Sequence, residues 1–179
     1  MPLCAQDLSA GASVGLANDI QDTFRLDGFS RNDWNAWVSF KLEERVVLRA
    51  TVGSLLVKGA NAGLTVSLPP GAPPAPLPDL TDRINYLTVG VSYEFWEGDY
   101  TSGLFGGLGG YKVDPGQVDP QFEPYQDVAE TVFGWHAGVD ASLRIVSRFS
   151  LIGRLTFHRI YSASNRSLLT ANAGIEYRF

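Results

Sequence analysis

The chain predicts an all-β fold: eight antiparallel strands closed up-and-down into a transmembrane β-barrel. Three observations carry this. Apolar and polar residues alternate with period two through most of the 179 residues, as strands with one apolar face require. The alternating stretches are joined by short and long connections in turn. Glycine (19 residues) and aromatic residues (12%) abound, as do β-branched residues, while helical-period runs of Ala, Leu, Glu and Lys are missing. No stretch approaches the roughly 18 consecutive apolar residues of a transmembrane helix, so any crossing is made by strands.

The strands follow in order. Leu8, Ala10, Ala12, Val14 and Leu16 oppose Ser9, Gly11, Ser13 and Gly15 in the first. Trp34, Ala36, Val38, Phe40 and Leu42 oppose Asn35, Trp37, Ser39 and Lys41 in the second, and Val46, Leu48, Ala50, Val52 and Leu56 oppose Arg49, Thr51 and Gly53 in the third. The fourth sets Leu87, Val89, Val91, Tyr93 and Phe95 against Tyr86, Thr88, Gly90, Ser92 and Glu94. The fifth lies in the glycine-rich stretch 101–112; Leu104 and Leu108 are placed outward and Phe105 and Tyr111 inward, a register its glycines also allow to reverse. In the sixth, Phe133, Trp135, Ala137, Val139, Ala141 and Leu143 oppose Gly134, His136, Gly138, Asp140, Ser142 and Arg144. The seventh sets Phe149, Leu151, Leu155 and Phe157 against Ser150, Arg154, Thr156 and His158; the eighth sets Leu169, Ala171, Ala173, Ile175, Tyr177 and Phe179 against Thr170, Asn172, Gly174, Glu176 and Arg178.

The polar face collects Lys41, Arg49, Glu94, Asp140, Arg154, Glu176 and Arg178 among small residues, whereas the apolar face carries no charge through the middle of any strand. A soluble, lipocalin-like barrel would hide the apolar face; a membrane barrel turns it to lipid and fills its lumen with paired polar groups. Aromatic residues near strand ends (Trp34, Phe95, Phe133, Trp135, Phe149, Tyr177, Phe179) fit interfacial girdles and favour lipid outside. Connections 43–45, 97–99 and 145–148 are tight, while 18–33, 58–82, 113–128 and 160–167 are long. Short periplasmic turns and long outer loops are the rule for such barrels, which puts both termini in the periplasm.

Residues 7–179 make one barrel domain; 1–6 are read as a signal-peptide remnant with Ala5 before the cleavage, or as an ordinary flexible tail. The single cysteine, Cys4, excludes an internal disulfide and a multi-cysteine metal site. A formal charge of −5 without a Lys/Arg cluster excludes a nucleic-acid surface.

The closing heptapeptide, Ala173-Gly174-Ile175-Glu176-Tyr177-Arg178-Phe179, resembles the C-terminal signal of bacterial outer-membrane barrels, with Ile175, Tyr177 and Phe179 matching it position by position. In architecture the whole chain is similar to the small barrels of the outer-membrane protein A, X and opacity type. The resemblance implies an integral outer-membrane location, recognition of the last strand by the barrel-assembly machinery, and contact with lipid and lipopolysaccharide.

A lumen network is expected from Arg49, Glu94, His136, Asp140, Arg154, His158 and Glu176. A symmetric turn at Val146-Ser147 would set Asp140 opposite Arg154 and His136 opposite His158. Eight strands leave a lumen just wide enough to be filled by side chains, so a plugged core without a wide pore is expected, with a structural or surface-interaction role. A narrow conductance, or a small-ligand pocket beside Trp37, Trp96 and His136, is the alternative. His158, Ser162 and Glu176 invite comparison with lipid A deacylases, yet four positions separate His158 from Ser162, against two in that family. No catalytic residue, cofactor or metal is assigned. The Pro-rich segment 68–80 is expected to be extended, exposed and free of ladder bonds. Asp114, Asp119, Glu123 and Asp127 match no EF-hand spacing and read as solvated acidity rather than as a cation site. All four long loops are candidate surfaces for an external ligand.

Overall fold

The computed structural model describes residues 8–20, 31–58, 65–66, 73, 75–76, 81–96, 98–116, 129–162 and 165–179. Cys4 and the tail 1–6, Asp119, Glu123, Asp127 and most of the four long loops lie outside the described residues.

Eight strands carry the fold: β1 (Leu8–Asp19), β2 (Arg31–Glu43), β3 (Val46–Lys58), β4 (Thr81–Glu94), β5 (Tyr100–Asp114), β6 (Glu130–Val146), β7 (Phe149–Ile160) and β8 (Arg166–Arg178). Each pairs antiparallel with its neighbours in sequence, and β1 closes on β8 from Ser9 opposite Arg178 to Asp19 opposite Leu168. Strand pairing therefore leaves no open edge in this sheet. The fifth strand adopts the expected register: Leu104 and Leu108 are exposed, and Tyr111 is buried.

Period two sorts the side chains. Val14, Val38, Val52, Leu87, Val89, Leu104, Leu108, Val139, Leu155 and Ile175 form an exposed apolar belt. Toward the short-turn end, rings touch as Phe149–Tyr177 (5.0 Å), Tyr177–Phe179 (5.1 Å) and Tyr93–Phe95 (5.6 Å). Toward the long-loop end, Phe133 stacks on Tyr161 at 6.3 Å and Trp135 meets Phe157 at 5.4 Å. Arg83, Lys112 and Asp114 stand on the outer wall nearest those loops, with Lys112 and Asp114 paired at 2.9 Å.

Two expectations are corrected. The fourth strand starts at Thr81, inside the connection placed at 58–82, and the alternation hides this start because the polarity of the faces inverts: Ile84 is buried while Arg83 is exposed. In the Pro-rich loop, Ala75–Pro76 pairs with Thr65–Val66, so the segment does form a short ladder. Proline lacks only the N–H; its carbonyl still accepts, and a two-strand ladder has an outer edge where the loss is tolerated.

The same inversion builds an interior core at the long-loop end. Ala17, Leu55, Val57, Ile84, Tyr86, Tyr111, Val113, Ile160 and Leu168 form one buried apolar cluster, with Val132 packed against it. Lower down, Gly11 and Gly53 make room for the rings of Trp37 and Tyr86, which would collide with a Cβ at either position.

An apolar outer wall predicts a depth-dependent penalty for charge. Val89→Arg, at the exposed centre of β4, is expected to lower stability by about 2–4 kcal/mol in a lipid bilayer, read as the urea-unfolding midpoint. On a water-facing wall the same change would stay within about 0.5 kcal/mol.

Candidate functional site

The lumen side chains converge on Trp37, the inward aromatic of β2. Its indole N–H donates to Glu176 Oε2 of β8 at 3.1 Å. The Arg154 guanidinium, reaching across from β7, sits 4.4 Å from its ring centroid, and Arg49 of β3 sits at 5.8 Å. Phe105 of β5 closes over Arg154 at 5.4 Å. Planar, weakly hydrated guanidinium is the cation suited to such stacking, since it gives up less hydration than an ammonium.

Arg49 Nη1 pairs with Asp140 Oδ2 of β6 at 2.8 Å, while its Nε donates to Ser39 Oγ at 3.0 Å. Because β3 and β6 are not neighbours, this ion pair spans the lumen. Asp140 does lie opposite Arg154, and His136 opposite His158, along the β6–β7 ladder. Yet Asp140 spends its short reach on Arg49, and the longer Arg154 crosses to Trp37. The His136 and His158 rings are 6.0 Å apart. His158 Nδ1 lies 3.1 Å from the Tyr111 hydroxyl, and Tyr86 stacks on Tyr111 at 5.8 Å.

At the short-turn end, Glu94 is 4.0 Å from Lys41 and Glu176 is 3.7 Å from Arg178, around a cavity of about 120 Å³. At the long-loop end, Asp82 of β4 and Arg166 of β8 form a fully interior ion pair. Further down, where β8 faces Arg154, Asn172 donates to Asp33 Oδ2 at 2.7 Å. Alternation already places Asn172 on the inward face; Asp33, Asp82 and Arg166 escaped the sequence reading, and extending the inward parity of β2, β4 and β8 toward the loops would have found them.

Ile175, Tyr177 and Phe179 face outward along β8 and its final residue, on the strand that closes the barrel. Trp96 is 63% exposed on the outer wall, so it shares no pocket with Trp37 and His136. His158, Ser162 and Glu176 are not assembled as a triad. His158 stands opposite Leu168, and Glu176 is eight positions further along β8, about 26 Å at roughly 3.3 Å per residue.

Between the polar middle and the loops stands the apolar cluster, where Leu55, Ile84, Tyr111, Ile160 and Leu168 have no exposed surface. The interior therefore reads, from turns to loops, as a polar vestibule, a charged aromatic stack, a tyrosine–histidine layer and an apolar seal.

No family profile and no curated protein sequence matches the chain. Solved structures do. A major outer-membrane protein of Thermus thermophilus superposes with a TM-score of 0.67 at 15% identity, covering 97% of this chain and 98% of that one. Neisserial surface protein A gives 0.64 at 12% identity, covering 96% and 97%. The N-terminal β-barrel domain of Pseudomonas aeruginosa OprF gives 0.62 at 11%, covering 97% and 98%. The chain thus has the fold of small eight-stranded outer-membrane barrels over nearly its whole length.

Removing one member of the cross-lumen pair leaves the other buried alone. Arg49→Met is expected to cost about 3–5 kcal/mol in urea unfolding, and Arg49→Met combined with Asp140→Leu to recover most of it. A double-mutant cycle reads the difference.

Proposed function

We propose that the protein is an integral outer-membrane barrel with a closed lumen. It serves as a structural element that holds four loops on the outer face while both termini face the periplasm. The observation that carries this reading is the pairing of an apolar exterior with a sealed interior. Val14, Leu87 and Val89 are each more than half exposed around a barrel whose mid-strand charged groups are turned inside. In water so continuous an apolar surface would drive association; in lipid it is the solvated face. Short turns below and long loops above set the orientation, and lipid and lipopolysaccharide are the partners such a belt meets. The last strand, with Ile175, Tyr177 and Phe179 outward, is what we expect the assembly machinery to engage.

The fold by itself does not name a function; the apolar seal supports a lumen without a pore. Leu55, Ile84, Ile160 and Leu168 fill the lumen at the loop end as an apolar layer beneath the Asp82–Arg166 pair, and ions would have to cross it. A second reading, a narrow conductance, draws on the vestibule of about 120 Å³ that opens the other end as far as Arg49.

Two measurements separate these. The protein from an outer-membrane fraction, run unboiled against boiled in detergent, is expected to migrate as two species, since a closed barrel keeps its strands paired. Recovery from the soluble periplasm overturns the membrane reading. In planar bilayers the unaltered protein is expected to stay at baseline. The combined variant Leu55→Ala, Ile84→Ala and Leu168→Ala, which opens the seal, is expected to conduct. Steady conductance from the unaltered protein would favour the channel reading.

A further inference from the structure

We propose that Arg159, on the outer wall at the long-loop end, binds the phosphate of a lipid in the outer leaflet. The site rests on the membrane reading and gives that reading one specific lipid contact.

Depth comes first. On β7 the outward residues after Phe149 are Leu151, Gly153, Leu155 and Phe157, and Arg159 is the first charge to follow them. Ten residues at roughly 3.3 Å each, on a strand tilted by about 40°, rise about 25 Å, which is the height of the apolar band in such barrels. With Phe149 in the aromatic ring of the short-turn end, Arg159 therefore stands where the hydrocarbon of the other leaflet gives way to headgroups. Its neighbours are those of an interface: Trp135 lies opposite it on β6, and Phe133 and Tyr161 stack on each other on its loop side.

The guanidinium is held from one side only. Nη1 donates to Ser167 Oγ of β8 at 2.5 Å and to the carbonyl of Asn165 at 3.4 Å. Asn165 presents that carbonyl from a turn, with φ at +48° and its N–H bonded to Ser162 O at 2.9 Å. Both acceptors are neutral and cancel no charge. Nε and Nη2 make no hydrogen bond with the described residues, yet neither is among the buried unsatisfied groups, so both open to the outer surface. These two nitrogens form one edge of the guanidinium, and such an edge meets two oxygens of a phosphate in parallel.

The surroundings leave the charge to the lipid. No carboxylate among the described residues pairs with Arg159, and the connection 161–165 contains none. At the same end of β5, by contrast, Lys112 is paired with Asp114 at 2.9 Å. Tyr161 adds a donor beside the site: its oxygen accepts from Trp135 Nε1 at 3.2 Å, which leaves its own hydrogen to give. At headgroup level the anion that a bilayer supplies to an unpaired cation is phosphate, and the acyl chains below it would run down over Phe157 and Leu155.

The test uses the full chain refolded in dodecyl maltoside micelles, doped in turn with dioleoyl phosphatidic acid and with dioleoylglycerol, which has the same chains and no phosphate. Native mass spectrometry counts the lipids that stay on the barrel. Retention of phosphatidic acid but not of dioleoylglycerol is expected, and Arg159→Gln is expected to weaken it about tenfold or more. Equal retention of the two lipids, or undiminished retention by the variant, overturns the proposal. Displacement of the lipid by millimolar inorganic phosphate would mark a site for free phosphate and overturn it as well. The shift between unboiled and boiled bands, read in the same micelles, reports the closed barrel separately. Its absence counts against the membrane reading, whereas a shifted band with equal retention counts against the lipid site alone. Should Arg159→Gln not fold, the comparison of the two lipids on the unaltered protein decides.

Discussion

Everything in this barrel follows from one constraint: a backbone crossing hydrocarbon must satisfy its own N–H and C=O groups. The pairing of β1 with β8 meets it. The ladder runs from Ser9–Arg178 to Asp19–Leu168, and the bonds Phe179 N to Leu8 O (3.1 Å) and Ile20 N to Ser167 O (2.9 Å) carry the closure past both strand ends. Closing at eight strands then sets the diameter, and that diameter is too small to leave the centre unfilled. What stands inside is a consequence of what had to be paired outside.

The filling is a set of cross-lumen contacts between strands that never share a ladder. Arg49 on β3 meets Asp140 on β6, and Arg154 on β7 meets Trp37 on β2. Buried ion pairs add little net stability against well-packed apolar residues of similar volume, yet breaking one is costly. Their effect here is to penalise a slipped register. A shift of one residue on β6 would carry Asp140 out of the lumen and strand Arg49 within it.

The outward face was legible because lipid asks one thing of every residue it touches: Leu87, Val89 and Val91 meet that demand while Thr88 and Gly90 between them do not have to. The register of β6 on β7 was legible too: a symmetric turn sets Asp140 opposite Arg154, and the bulge between Arg144 and Val146 gives that register above the two-residue turn at Ser147–Arg148. The seal was not. Leu55, Ile84 and Leu168 sit on the face that is polar elsewhere, and an alternation keyed to apolar residues outside stops where Arg83 stands outside and Ile84 inside. Partner choice was hidden for another reason. Asp140 and Arg154 are opposed in the ladder, but side-chain reach sends one to Arg49 and the other to Trp37.

The inverted end bears on how loops can be displayed at all. In an eight-stranded ring β4 and β8 lie on opposite sides, so the Asp82–Arg166 ion pair is a strut across the mouth. Asp82 also accepts from Gly116 N at 3.2 Å, where the chain leaves β5 for its long loop. One carboxylate thereby ties the bases of three connections: the one entering β4, the one leaving β5 and the one entering β8. Both partners are buried, with apolar side chains beneath them, so the strut is screened by little water and should hold at ionic strengths that dissolve surface pairs. A mouth held open and wet would let those strand tips splay independently. A mouth packed shut makes them one platform, which is what a barrel needs if its outer loops, rather than its lumen, are where it acts.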